Sequence, residues 1–98
     1  MEKVYKIGKD RKKQLDELLA KDPYAPISFG RISPVVKEIE NDIFLYVKSE
    51  DNAVFKFVEE QLKTVEGARA KEDEEKKIID AVHQDEDAAA GGFGNIFG

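Results

Sequence analysis

The sequence predicts a small α+β domain, in which about four mostly antiparallel strands carry two or three helices on one face. Two observations predict this class: short apolar runs of strand length fill the middle of the chain, and segments with apolar residues at helical spacing flank them. With 98 residues, 41% of them apolar, the chain can build one modest core. We place this single domain at residues 1–84 and a flexible, disordered tail at residues 85–98.

The strands are predicted from apolar runs bounded by turn residues. Val4–Ile7 is a short run of this kind, and Ile27–Ile32 alternates apolar and polar residues with the period of a strand. Val35–Ile39 and Ile43–Val47 flank the turn-forming segment Glu40–Asp42, which predicts a β-hairpin. Ala68–Ala70 is interpreted either as a brief edge strand or as a simple link.

The helices are predicted from apolar stripes and capping residues. Asp10 is expected to cap a helix over Arg11–Lys21, which ends at a loop bracketed by Pro23 and Pro26. A second helix follows Ser49–Asn52 and is expected to end at Gly67. Its predicted buried face consists of Phe55, Val58, Leu62 and Val65. The last helix begins at the acidic residues 72–75, where the helix dipole favours negative charge, and buries Ile78, Ile79 and Val82.

Phe44 and Tyr46 share the face of their strand opposite Ile43, Leu45 and Val47. If helices cover only one face of the sheet, these two aromatic side chains lie exposed on the other. An exposed aromatic pair of this kind would form a surface for a partner protein.

Composition excludes several classes of function. The chain has no cysteine, which rules out disulfides, thiolate catalysis and cysteine-ligated metals. The net charge of the whole chain is −5, and residues 1–84 carry 18 acidic and 16 basic residues. We therefore expect no basic surface of the kind that binds nucleic acid. No apolar run approaches the roughly 18 residues of a membrane span, and no signal-peptide pattern is present, so we expect a cytoplasmic protein. The abundance of Glu and Lys is compatible with a thermophilic source.

No catalytic motif is recognisable. His83 is the single histidine, and a general base needs an orienting partner that the sequence does not assign to it. No phosphate-binding glycine motif or nucleophile elbow is present in the domain. We therefore expect a protein that is not an enzyme and needs no cofactor.

Acidic residues near two turns leave a divalent-cation site as the alternative function. Calcium prefers several oxygen ligands from loops, although the spacing here does not match an EF-hand. The candidate ligands for Ca²⁺ are Glu38, Glu40, Asp42, Glu50 and Asp51. Turn formation and helix capping explain the same residues without a metal.

The C-terminal residues carry the strongest indication of function. An acidic run at residues 85–87 is followed by an Ala/Gly spacer and then by three large apolar residues among glycines, Phe93, Ile96 and Phe97. This segment resembles the C-terminal tail of the archaeal acidic ribosomal stalk proteins, which ends in an acidic run, an Ala/Gly stretch and a short apolar terminus with a final Phe-Gly. In that family the terminus binds translational GTPases. The resemblance implies that Phe93, Ile96 and Phe97 form a hydrophobic hook for another protein.

The resemblance covers residues 85–98 only. The usual Leu-containing hook is replaced here by Gly94-Asn95-Ile96, and residues 1–84 are rich in predicted strands, unlike the helical dimerisation domain of the stalk proteins. The globular part resembles small archaeal proteins in general, and no motif in it names a family. The sequence therefore predicts a small protein-binding or adaptor protein of undetermined oligomeric state.

Truncation after Asp87 should leave the melting temperature within about a degree or two of that of the intact chain, because a tail of this composition contributes little burial. Thermal unfolding followed by circular dichroism measures this directly. A large drop would show that residues 88–98 belong to the core.

Overall fold

The strands and helices are described for residues 1–21 and 27–97 by a computed structural model, with side chains up to residue 87. The strands are β1 (Glu2–Gly8), β2 (Val35–Ile39), β3 (Asp42–Lys48) and β4 (Ala68–Arg69). The helices are α1 (Lys12–Ala20), α2 (Phe29–Ile32), α3 (Asn52–Leu62) and α4 (Glu72–Phe97). These strands form one antiparallel sheet in the order β2-β3-β1-β4, which confirms the predicted α+β class.

The first face of the sheet carries the larger core. Tyr5 and Ile7 of β1 lie beside Leu45 and Ile43 of β3, and α1, α2 and α3 pack over them. The predicted stripe of α3 is confirmed, since Phe55, Val58, Leu62 and Val65 are all buried here. Of the three helices on this face, α1 and α3 were predicted as helices and α2 as a strand, while the third predicted helix, α4, lies on the other face.

The second face is covered as well, by α4. Ile78 and Val82 of this helix pack with Val4, Phe44 and Tyr46. The prediction that Phe44 and Tyr46 form an exposed partner surface is wrong, because they are only 5% and 4% exposed. The sequence does hold the reason: β3 is apolar at five consecutive positions, a pattern typical of a strand that is buried on both faces.

Residues 27–32, predicted as a strand, form the short helix α2 instead. The Ser28 hydroxyl accepts a hydrogen bond from the backbone N–H of Arg31 at 3.3 Å and so caps this helix. Ser33 ends the helix in a left-handed conformation with φ 51°. Phe29 is buried against Phe57, with 5.3 Å between the ring centroids. A serine cap and a tertiary contact thus override the alternating pattern.

The β2–β3 hairpin is confirmed. Ile39 lies opposite Asp42, so Glu40 and Asn41 form a two-residue connection. The positive φ that such a turn requires falls on Glu40, at 56°, rather than on Asn41. The turn is held to the sheet because the Asn41 carbonyl accepts a hydrogen bond from the backbone N–H of Lys9 at 3.0 Å.

The ends of two predicted helices differ from expectation. Lys9–Arg11 form a 3₁₀ turn before α1, and no side chain caps α1, so Asp10 does not have the predicted role. After α3 the left-handed residue is Glu66, with φ 57°, and not Gly67. Gly67 instead lies at a close contact: a Cβ there would lie 3.0 Å from Leu62 Cβ and 3.1 Å from Ile7 Cγ1, so both side chains would have to move slightly.

The predicted boundary between residues 84 and 85 falls inside α4, whose backbone continues to Phe97. Among the described side chains of α4, Val82 is the last that is buried, and the ion pair of Asp85 with Lys37 is the last that joins the helix to the sheet. The division of the chain at this point stays a prediction. The predicted loop around Pro23 and Pro26 lies outside the described residues.

Replacing Ile78 by Ala should lower the free energy of unfolding by about 2–5 kcal/mol, because it removes a buried side chain from the core under α4. Chemical denaturation measures the change. Lys76→Ala, on the exposed side of the same helix, is the matched control and should stay within about 0.5 kcal/mol. Equal small effects of both substitutions would contradict the packing of α4 on the sheet.

Candidate functional site

The outer edge of β2, residues Val35–Ile39, is the main exposed apolar feature of the described chain; we call it the β2 edge. β2 is the last strand on its side of the sheet, so its outer backbone groups have no strand beside them in the described residues. Val35, Val36 and Ile39 are 36%, 44% and 47% exposed. An exposed strand edge with aliphatic side chains is a template for pairing with another strand.

Both charged residues of the β2 edge form ion pairs with helices of the same chain. Lys37 lies on the α4 face, where its ammonium group pairs with Asp85 of α4. Glu38 lies on the opposite face, where its carboxylate is 2.8 Å from the ammonium group of Lys12. This hydrogen-bonded pair holds the pKa of Glu38 below its usual value. The charges of the edge are thus compensated within the chain.

The opposite edge of the sheet is protected. The two-residue strand β4 covers the middle of β1, pairing Tyr5 with Arg69. Beside it, the Glu75 carboxylate accepts a hydrogen bond from the backbone N–H of Val4 at 3.0 Å. The Arg69 guanidinium donates to the same carboxylate, at 2.8 Å from Nη2, and holds the pKa of Glu75 below its usual value. A side chain therefore replaces the missing strand here.

A second polar cluster joins β1, β3 and α4. Oε2 of Glu2 accepts a hydrogen bond from the Tyr46 hydroxyl and lies 2.6 Å from Nε2 of His83. The hydrogen bond from Tyr46, assisted by His83, lowers the pKa of Glu2, while burial and the neighbouring carboxylate raise the pKa of Tyr46. The structure thus provides His83 with the orienting partner that the sequence did not assign. The contact spans 81 positions of the chain, and no local pattern could have indicated it.

A cavity of about 260 Å³ opens beside α3 and β4. Its lining includes Lys3, Tyr5, Glu59 and Arg69. The Tyr5 hydroxyl donates a hydrogen bond to Glu59 at 2.8 Å, and burial, together with this hydrogen bond, raises the pKa of Tyr5. The Lys3 ammonium group lies 3.9 Å from the same carboxylate and 4.7 Å from the ring centroid of Phe55. Of the charged groups in this lining, Lys3 and Glu59 thus pair with each other, while Arg69 pairs with Glu75 of α4.

The structure does not bring the candidate calcium ligands together. Glu38, Glu40 and Asp42 lie at the hairpin end of β3, and Glu50 and Asp51 follow its other end. Six residues of strand, 43–48, separate the two groups, which corresponds to about 20 Å. Within the described ranges, no three carboxylate or imidazole side chains lie close enough to hold a metal ion.

Four of these five carboxylates have other partners, Glu38 among them through its ion pair with Lys12. Asp42 is 3.6 Å from the ammonium group of Lys6, and Glu50 is 3.2 Å from the amino group of Met1. Asp51 caps α3, since its Oδ1 accepts a hydrogen bond from the backbone N–H of Ala53 at 2.9 Å. Capping and ion pairing thus occupy the residues that suggested a cation site.

The predicted hook residues Phe93, Ile96 and Phe97 belong to the backbone of α4, but their side chains lie outside the described residues. No protein-family model, no curated protein and no solved structure matches the chain. Among the helices of the described residues, none has the length and apolar character of a membrane span.

Replacing Glu2 by Gln should lower the free energy of unfolding at pH 7 by about 1 kcal/mol, because the bonds of Tyr46 and His83 lose their charged acceptor. The folded-state pKa of Glu2 is depressed. Its carboxylate therefore stabilises the fold above the unfolded pKa near 4.5, and this contribution is lost as pH falls through the folded pKa.

The variant should accordingly lose less stability than the parent chain when the pH falls below about 4.5. Urea denaturation across the acidic range measures this. Glu17→Gln, at an exposed position of α1, is the control and should keep the parent's pH dependence. If Glu2→Gln also keeps that dependence, the carboxylate of Glu2 is not coupled to folding.

Proposed function

We propose that this protein binds other proteins as a small non-enzymatic adaptor, and that the C-terminal half of α4 is the binding element. The observation that carries the proposal is the length of this helix. The described ion pairs between α4 and the sheet run from Glu74, with Lys6, to Asp85, with Lys37. The backbone of α4 continues for twelve residues after Asp85, or about 18 Å at the rise of an α-helix.

The sequence of this extension suits a binding helix. Phe93, Ile96 and Phe97 follow the spacing i, i+3, i+4, which places residues on one side of a helix. A helix with such a stripe binds by laying its apolar side into a hydrophobic groove of the partner. The resemblance to the stalk-protein tail supports the same interpretation and suggests a translational GTPase as the partner.

The glycines at positions 91, 92 and 94 have a consequence for affinity. Glycine within a helix costs conformational entropy, about 1 kcal/mol per residue relative to alanine. Holding this segment in helical form on a partner therefore consumes part of the interaction energy, and we expect a modest affinity. Such an interaction suits an adaptor that must release its partner.

The test is a pull-down from an archaeal cell extract with two baits, the intact chain and the triple variant Phe93→Ala, Ile96→Ala, Phe97→Ala. We expect the intact chain to retain a partner that the variant loses. The control variant Gln84→Ala, Glu86→Ala, Asp87→Ala truncates three exposed polar residues of the same helix and should retain the partner. If both baits retain the same proteins, or neither retains any, the hook is not the binding element.

A further inference from the structure

We propose that the β2 edge pairs with the β2 edge of a second copy of this chain, antiparallel and about a two-fold axis that passes midway between the two Lys37 residues. The two sheets then form one continuous eight-stranded sheet. This inference goes beyond the proposed function and does not depend on Phe93, Ile96 or Phe97.

The symmetry restricts how the two edges can pair. Antiparallel strands at a shared edge are related by an axis normal to the sheet, so each residue keeps its own face in both copies. Side chains alternate between faces, and directly opposite residues must share a face. Val35, Lys37 and Ile39 lie on the α4 face, and Val36 and Glu38 on the other. Of the registers that satisfy these conditions, only the one centred on Lys37 pairs all five residues of β2.

This register matches the apolar residues of the edge. It places Val35 of each copy opposite Ile39 of the other, so the same aliphatic pair forms twice. Both side chains are more than a third exposed in the single chain. Cross-strand aliphatic pairs of this kind stabilise a sheet and remove apolar surface from water. The edge is therefore self-complementary in its apolar residues, which favours a second copy over an unrelated strand.

The register also places Lys37 opposite the same residue of the other copy, and Val36 opposite Glu38. Like charges that face each other across strands normally destabilise the pair. Here each Lys37 ammonium group is already paired with Asp85 of its own chain, and each Glu38 with Lys12. The counter-charges therefore lessen the repulsion between the two Lys37 side chains at the interface without cancelling it, and the lysine that would otherwise protect this edge is drawn onto α4.

The rest of the sheet limits association to this edge. At the far side, β4 and the Glu75 carboxylate cover the outer backbone of β1 at Val4 and Lys6. At the near side, no other strand of the described residues pairs with the outer edge of β2, whose five residues lie between Ser33 and Glu40, both in left-handed conformations. One free edge in the described part of each chain favours a closed dimer over a filament.

Sedimentation equilibrium of the intact chain, from about 1 μM to about 1 mM, tests the proposal. We expect a concentration-dependent dimer. Val35→Lys combined with Ile39→Lys should raise its dissociation constant at least about tenfold, because the apolar pairs are replaced by charge. Ile27→Lys, at a residue of similar exposure outside the sheet, should leave dimerisation unchanged. Circular dichroism establishes that each variant is folded.

A charge-swap experiment tests the register. The variant Lys37→Glu, Asp85→Lys keeps the ion pair within the chain but reverses its sign. Mixed with the parent chain, it should form heterodimers in excess of the statistical one half, because residue 37 then faces an opposite charge. Native mass spectrometry counts the species. A statistical mixture overturns the register centred on Lys37.

A second measurement does not rely on variants. In the intact chain, hydrogen exchange of the β2 amides should slow as concentration rises, while that of the β4 amides stays constant. A chain that stays monomeric throughout, or a dimer that survives the two lysines, overturns the proposal. So does a dimer lost with the hook variant Phe93→Ala, Ile96→Ala, Phe97→Ala. If that variant loses the pull-down partner but still dimerises, the result supports the adaptor function and leaves the pairing of the β2 edges unaffected.

Discussion

The burial of β3 on both faces is the constraint on which the rest of this structure depends. Five consecutive residues, Ile43–Val47, are buried. A helix layer on one side of the sheet would leave the apolar side chains on the other side exposed to water. α4 supplies the second layer, with Ile78 and Val82 over Phe44 and Tyr46. Burial of apolar surface stabilises a fold roughly in proportion to the area removed from water. Helix α4 is therefore part of the structural core as well as the segment that carries the C-terminal residues.

The path of α4 also determines where polar groups meet. Glu74 and Glu75, near its start, bind Lys6 and the edge of β1. His83 reaches Glu2, and Asp85 reaches Lys37 on β2. Helix α4 thus spans the sheet from the protected edge to the free one. Its early carboxylates bind backbone and cationic groups of β1. Its later carboxylate, Asp85, pairs with the lysine of β2, and no strand of the described residues pairs with the outer backbone of β2.

Much of the fold could be predicted from local patterns. The hairpin of Val35–Ile39 with Ile43–Val47 and the buried stripe of α3 depend on residues near one another in sequence, and both are confirmed. The strand expected at residues 27–32 was wrong because a serine cap and the contact of Phe29 with Phe57 outweigh alternation. The cluster of Glu2, Tyr46 and His83 could not be predicted, since its members come from three distant elements. The exposed edge at β2 could not be predicted either, because local patterns do not reveal the order of the strands in the sheet.

The two charged residues of β2 show why an edge cannot be judged from composition alone. A lysine and a glutamate in the middle of a strand are typical of an edge protected against pairing, because each would have to be desolvated beside a new neighbour. In this chain the helices above and below provide the counter-charges. The cost of bringing a second strand alongside is thereby lowered, while the backbone groups and the flanking aliphatic residues stay available. The same two residues that suggest protection thus permit a symmetric contact, because their charges are turned toward the helices of their own chain.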